Sequence, residues 1–324
     1  MNPAVRPGPG PGPDLAQAQD LAQGQDRAQG QDQAQVCNQA PAPESPAAKL
    51  EGLFLADKPS GPTSFDICRL LRRLAGQKST GHIGTLDPLA TGLLGVLFGR
   101  ATALAAYLHR LDKTYLVTVT LGLETDTDDA AGRVTARHSG PWPEETEIEA
   151  ALRSFLGPSR QVPPAYSAIK ISGRPAYQKA RRGEKPDLAA RPVLLNSCRV
   201  LAYRKPRLVF RAEPGAGFSI RSLARDLGRL LGCGGTVQKL RREAAGPFTL
   251  AQASPVPQER SVLEARLLSP AAALAGWPEV RPDPEALRRF GCGQAVRLAS
   301  EDWTGAWASG AWASESWASE SWAS

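Results

Sequence analysis

Between Gly81 and Gly92 the chain sets a carboxylate, an imidazole and two hydroxyls among glycines and a proline: Gly81-His82-Ile83-Gly84-Thr85-Leu86-Asp87-Pro88-Leu89-Ala90-Thr91-Gly92. Glycine allows backbone shapes that other residues resist and proline fixes its own φ, so this stretch reads as a shaped loop running into a helix start. Pro88 also biases Asp87 away from the α region, which puts the carboxylate at a bend and leaves its side chain available to a cleft. The chemistry on offer is that of a carboxylate. An Asp before a Pro is equally an ordinary cap or turn former, and this stretch by itself leaves both readings open. A glycosidase would need a second carboxylate facing Asp87 at a definite separation. A metal site is not indicated: His82, His109 and His138 are scattered, and Cys37, Cys68, Cys198, Cys233 and Cys292 contain no CxxC.

The elements that must hold this loop can be read on either side of it. Leu53-Phe54-Leu55-Ala56 is a short buried-strand pattern, followed by a turn, Asp57-Lys58-Pro59-Ser60-Gly61-Pro62, with Lys58 at its lip. Thr63 or Ser64 can cap the next helix, in which Phe65, Cys68, Leu71 and Ala75 recur at helical spacing. Arg69, Arg72 and Arg73 fall mainly elsewhere, as a solvated face or as phosphate contacts. After the loop the apolar run Leu93–Phe98 can anchor it, and a helical stretch is expected to Leu108.

Lys113–Leu121 then alternates with period two, placing Tyr115, Val117, Val119 and Leu121 on one face of a strand, where a Tyr is ordinarily core. Glu124-Thr125-Asp126-Thr127-Asp128-Asp129 lacks the glycine and glutamate of an EF-hand and is assigned no chemistry. Pro143–Leu156 reads as a helix with an acidic first half. Val193–Leu195, Arg199–Leu201 and Leu208–Phe210 read as strands. Ile220, Leu223, Ala224, Leu227, Leu230 and Leu231 define one helical face, with Arg221, Arg225 and Arg229 lining another, which is ordinarily the wet side.

The formal net charge of the 324 residues is +7, unevenly placed. Residues 1–48 carry −3 and residues 301–324 carry −4, so the body over 49–300 carries +14, a balance that favours a polyanionic partner. No run approaches the ~18 apolar residues of a membrane span, and the N-terminus lacks a secretion signal, which makes a cytoplasmic protein the expectation. Residues 1–48 hold Pro-Gly alternation and a six-residue quasi-repeat with few large apolar side chains, the composition of a disordered arm. From Trp303 onward tryptophans recur in Ala/Ser/Glu at a spacing that fits neither helix nor strand, so 301–324 reads as a low-complexity tail.

GHIGTLDPLATG closely resembles the catalytic loop of the TruB family of tRNA pseudouridine synthases, GH-[TS]-GTLDP-x-A-[TS]-G. The resemblance continues in LxxDKPxGxTS around Lys58, in DKTY at Tyr115, in QVPPAYSAIK and AYQKARRG over 161–183, in IRSLARDLG at Arg221 and in LRR-x-x-x-G-x-F at 240–248. The motifs stand in the family's order over roughly residues 51–275. What the resemblance implies is an α+β fold: a pseudouridine-synthase-like mixed, largely antiparallel sheet flanked by helices, with the cleft across its middle and a truncated PUA-like remnant whose first strand would lie in Glu285–Val296.

It further implies that Asp87 is a nucleophile paired with Arg221, which would lower the carboxyl pKa and keep it ionised. Tyr115 would stack on the target base, Lys58 would sit at the edge of the active site, and His82 would help hold the opened RNA stem or, more modestly, brace the loop. The implied substrate is the T-arm of tRNA at position 55, acted on by a monomer without metal or cofactor. The implied domains are a disordered arm over 1–48, a catalytic domain over 49–255, a C-terminal extension over 256–300 and the tail over 301–324.

Two departures stand inside the motifs. Ile83 replaces a small hydroxyl residue, and Ser219 replaces a Tyr whose phenol packs by the base and assists proton transfer. With Ser219 in that place, a non-catalytic tRNA-binding or folding protein on the same scaffold is the alternative.

Overall fold

The computed structural model describes residues 48–166, 170–171, 174–175, 188–277, 279–297 and 303–304. Residues 1–47, most of the stretch 167–187 and the tail beyond Thr304 lie outside them, and with them the disordered-arm expectation, the whole of the basic AYQKARRG motif and most of the tryptophan repeat. No helix among the described residues is long and apolar enough to cross a membrane.

The apolar pattern at 53–56 forms β1 (Gly52–Lys58). Thr63 caps α1 (Ser64–Ala75): its hydroxyl accepts from the Asp66 N–H while the Asp66 carboxylate accepts from the Thr63 N–H, which satisfies two of the helix's orphan donors at once. Ile67, Cys68, Leu71 and Ala75 are the buried face, and Arg69, Arg72 and Arg73 are exposed.

β2 (Thr80–Ile83) and β3 (Thr91–Phe98) bracket the Asp87 loop. The expectation of a loop entering a helix is corrected here: residues 91–98 are a strand, and only a short 3-10 turn and the helical turn Ala105–Leu108 follow. The strand is covered on both faces, so its apolar run carries no alternation to distinguish it from a helix.

β4 (Lys113–Leu121) bears Tyr115 as expected. β5 (Leu123–Thr125) pairs with β6 (Val134–Arg137), and the acidic loop lies between them. α2 (Glu145–Arg153) has its acidic first turn, and β7 (Gly157–Gln161) follows. The two strands expected at 193–195 and 199–201 are one continuous strand, β8 (Arg191–Arg204), with register shifts between Leu195 and Ser197 and between Val200 and Ala202. Then come β9 (Arg207–Pro214), α3 (Ile220–Leu230), β10 (Gly235–Ala245), β11 (Phe248–Thr249) and β12 (Ser254–Pro255).

Ten strands form one sheet in the order β12-β1-β3-β10-β4-β9-β8-β7, with β2 on β3 and β11 on β10. All pairings are antiparallel except β1 with β12 and β3 with β10, the mixed, largely antiparallel sheet expected of this α+β chain. Alternation along β1 divides the core. Phe54 and Ala56 join the side that packs α1, α2 and α3, while Leu53 and Leu55 join Leu93, Leu97, Leu108 and Phe248 on the other. Residues 284–291, expected within a strand, form α4 (Pro284–Gly291): the Asp283 side chain caps it and Pro284 takes a first-turn position, where a missing N–H costs nothing.

Candidate active site

The loop that carries Asp87 is held by its backbone. Asp87-Pro88-Leu89-Ala90 is a turn closed by the Ala90 N–H on the Asp87 carbonyl at 3.0 Å, with Pro88 at the second position, where its fixed φ belongs. The Ser64 hydroxyl donates to the Leu86 carbonyl at 3.0 Å and accepts from the Leu86 N–H at 2.8 Å. The Arg242 guanidinium, 1% exposed, donates to Leu93 O at 2.6 Å and Gly84 O at 2.9 Å. Gly84 has φ +72°, and a Cβ there would stand 3.0 Å from that guanidinium. The Gly84 N–H donates to His109 Nδ1 at 3.1 Å.

Lys58 is not at a lip. It is fully buried, and its ammonium donates to Pro59 O at 2.9 Å, Pro88 O at 3.2 Å and Ala90 O at 2.7 Å, one bond per proton. Burial pulls its pKa down to about 8; the Asp87 charge opposes this and Arg242 adds to it.

Arg221 arrives from the first turn of α3. Its Nε lies 2.8 Å from Asp87 Oδ2 and its Nη2 donates to Oδ1 at 2.9 Å, a bidentate pair across 134 residues of chain. The same guanidinium donates to Thr127 O at 3.2 Å and Tyr166 O at 3.1 Å and lies 3.8 Å from the buried Asp129 carboxylate. The arginine stripe of α3 is therefore not its wet side. Arg225 is also turned inward, bonded to Asp128 at 3.1 Å, Asp226 and the Val162 carbonyl, and of the three only Arg229 is largely exposed.

Burial is the strongest influence on the Asp87 carboxyl and pushes its pKa up; Arg221 pulls it down, Asp129 pushes it up, and the net direction is upward. The expectation that Arg221 lowers this pKa is thus corrected in its outcome, because desolvation outweighs the ion pair. Both carboxylate oxygens accept from the guanidinium, the geometry of an ionised pair. A carboxylate that is charged yet poorly solvated is a better base and nucleophile than one in water.

Asp87 and Arg221 line a cavity of about 320 Å³ together with Tyr115, Thr85, Leu86, Leu240, Pro164, Arg191, Phe218, Ser219 and Ile220. It is of a size to admit one flat ring with its attachments. Tyr115 is half-buried, packed against the core and lining the cavity. His82 stands outside that lining on β2, with Nε2 3.1 Å from the Thr85 hydroxyl and its ring edge-on to His109 at 6.5 Å between centroids. Burial, His109 and Arg242 all lower the His82 pKa, so its imidazole is neutral at pH 7.

The structure accounts for both motif departures. Ile83 is buried and lies over Gly95, where a Cβ would come within 2.5 Å of its side chain, so residue 83 faces the core. Ser219 caps α3: its hydroxyl accepts from the Ser222 N–H at 3.2 Å, while its backbone exchanges two hydrogen bonds with the Gln161 amide. Sequence reasoning brought together Asp87, Arg221 and Tyr115. It missed Ser64, Arg242, His109, Thr127, Asp129, Phe218 and Arg191; Ser64 and Arg242 stand within quoted motifs and Thr127 and Asp129 within the ETDTDD segment, which was assigned no chemistry, whereas the others carry no local signal.

Residues 72–220 match the family model described as TruB family pseudouridylate synthase (N terminal domain), and residues 221–261 match the one described as tRNA pseudouridylate synthase B C-terminal domain. The chain is similar to the tRNA pseudouridine synthase B of Xanthomonas axonopodis pv. citri (strain 306), with 42% identity over 257 residues, 78% of this chain and 83% of that protein. It is 44% identical over 229 residues to the protein of the same name from Arthrobacter sp. (strain FB24), covering 69% of this chain and 75% of that one. Among solved structures, a chain of the Cbf5-Nop10-Gar1 complex superposes with a TM-score of 0.60 at 24% identity, covering 76% of this chain and 68% of the other, which establishes a shared fold.

Proposed function

The chain belongs to the TruB family of pseudouridylate synthases, and from that premise we propose that it converts a uridine of tRNA, at position 55 in the T-arm, to pseudouridine with Asp87 as the nucleophile. The isomerisation breaks the bond between N1 of the uracil and C1′ of the ribose, turns the base, joins C5 to C1′, and passes the C5 proton to a base while N1 gains one. The observation that carries this reading is the bidentate Asp87–Arg221 pair in the wall of a ring-sized cavity. Arg221 holds the carboxylate charged and aimed; Tyr115, in the same wall, stacks on the extruded base.

His82, braced on Thr85 at the margin of the loop, supports the RNA stem from which the nucleotide has left. Lys58 acts through the loop, since its three protons are taken by carbonyls. With the Ser219 hydroxyl engaged as a helix cap, Tyr115 carries the phenol among the described residues lining the cavity and takes the role in proton movement. The catalytic unit is taken as residues 49–255, in keeping with a sheet whose last strand ends at Pro255.

Unmodified tRNA transcript incubated with the protein and mapped for pseudouridine by carbodiimide adducts tests the reading directly. Asp87→Asn should lower the rate by roughly a thousandfold or more while tRNA binding survives. Full activity in that variant removes Asp87 from the mechanism, and a wild-type protein that binds tRNA without modifying it would be a binder on a synthase scaffold.

A further inference from the structure

Among the described residues two buried side-chain polar atoms have no hydrogen-bond partner, Thr80 Oγ1 and Arg191 Nε. The second belongs to the cavity wall. Arg191 opens β8, opposite Gln161 of β7, and its Nη2 donates to the carbonyl of Gly217, which fixes the plane of the guanidinium against the turn preceding α3. Burial lowers its pKa, and among the described residues no carboxylate forms an ion pair with it. An arginine kept for structure alone would be paired; a buried N–H left bare costs about 1–3 kcal/mol.

The two arginines among the described residues lining the cavity differ in what they can offer. Arg221 is saturated by Asp87, Asp129, Thr127 O and Tyr166 O, so it has no donor to offer an incoming anion. A nucleotide placed against Asp87 brings its backbone phosphates close to a carboxylate that already lacks solvent, and that repulsion needs a cation other than Arg221. We propose that Arg191 binds a phosphate flanking the extruded nucleotide, the guanidinium it presents to the cavity donating to a phosphate oxygen while Gly217 holds it from the other side. This rests on the reading of the cavity as a uridine-isomerising site. The fork geometry suits a phosphate, whose oxygens accept charge-assisted bonds from a planar donor set, better than it suits a single base carbonyl. Arg191 is then a substrate-binding residue that no motif in the sequence marks.

The test pairs a protein variant with a substrate variant. tRNA is assembled from synthetic segments with a neutral methylphosphonate at the phosphate 5′ or 3′ of the target uridine, and initial rates of pseudouridine formation are fitted for KM and kcat. One of the two substitutions should raise the wild-type KM about ten- to hundredfold, the size of one lost charge-assisted bond, with a smaller change in kcat. Arg191→Gln should raise KM on unsubstituted tRNA by a similar factor, and the two changes together should cost no more than either one alone.

Unchanged KM with both methylphosphonates, or costs that multiply in the combined experiment, overturns the assignment. The wild-type series needs no mutant, so a variant that fails to fold leaves the test intact. A wild-type protein that modifies no tRNA at all would refute the functional reading and this proposal with it, a result distinct from normal modification that is indifferent to the flanking phosphates.

Discussion

Asp87 and Lys58 face each other through a loop, and both titrate away from their ordinary values because of where they are buried. The direction of each shift fixes one limb of the pH dependence. With Asp87 as the proposed nucleophile, activity is expected above that group's folded-state pKa and lost as pH falls through it; with that pKa raised, the acid limb of kcat/KM should lie above the ordinary carboxylate range. The loop clamp needs the Lys58 ammonium, so activity should also fall as pH rises through about 8.

The sign for stability is the reverse at the alkaline end. Lys58 has a folded pKa below its unfolded value of 10.5, so burying the charge costs stability below pH 8, and that cost, about 3 kcal/mol for a shift of this size, is relieved as pH rises from 8 to 10.5. An alkaline loss of rate without loss of fold, measured by kcat/KM beside denaturant midpoints, is the expected signature. Lys113 titrates in the same range, also through burial, and the limb should survive in Lys113→Arg. A flat profile through pH 8 would remove Lys58 from the loop's function.

At the level of elements, the site is a junction between α1, the loop joining β2 to β3, and the start of α3. α1 reaches the loop through Ser64, whose hydroxyl is both donor and acceptor for Leu86. Ser64→Ala removes one atom and strands two buried backbone groups, so it should destabilise the protein by about 2 kcal/mol. It should also lower kcat, because Asp87 is the next residue along; a variant with wild-type unfolding and wild-type rate would show that the loop holds its shape without α1. α3 reaches the loop through Arg221, and its own position is set by Gly228: a Cβ there would sit 2.1 Å from the backbone of Gly234. The acidic loop between β5 and β6 is the third support. Asp128, the one described non-glycine residue with positive φ, pairs with Arg225, and Asp129 lies beside Arg221.

For the molecule as a whole, the +14 balance of residues 49–300 against acidic ends is the property that a polyanionic substrate would feel first. Binding of tRNA by such a body releases counterions, so KM should rise steeply with salt, by an order of magnitude or more between roughly 50 and 200 mM, while kcat changes little. KM values insensitive to salt would mean that recognition rests on the cavity alone.

What the sequence by itself determined was the catalytic wording and the elements with an unambiguous period. The Asp-Pro bend, a cap at Thr63 or Ser64, the alternation that puts Tyr115 on the face of β4 and the apolar stripe of α3 are all local properties. Each follows from steric or hydrogen-bonding preferences spanning a few residues; Thr63 proved to be the cap, and the stripe is buried through Leu227 while Leu230 is exposed. Residues 91–98 were misread because a strand buried on both faces and a buried helix present the same unbroken apolar run, and only a neighbour on each side settles which it is.

The remainder was decided in three dimensions. Burial outweighs the guanidinium in setting the direction of the Asp87 pKa, Lys58 lies behind the loop instead of at its lip, Arg225 turns inward to meet Asp128, and Arg191 keeps a bare donor in the cavity wall. Desolvation and the pairing of charges depend on what packs around a side chain. That packing is supplied by strands and helices 134 residues away in the chain and more.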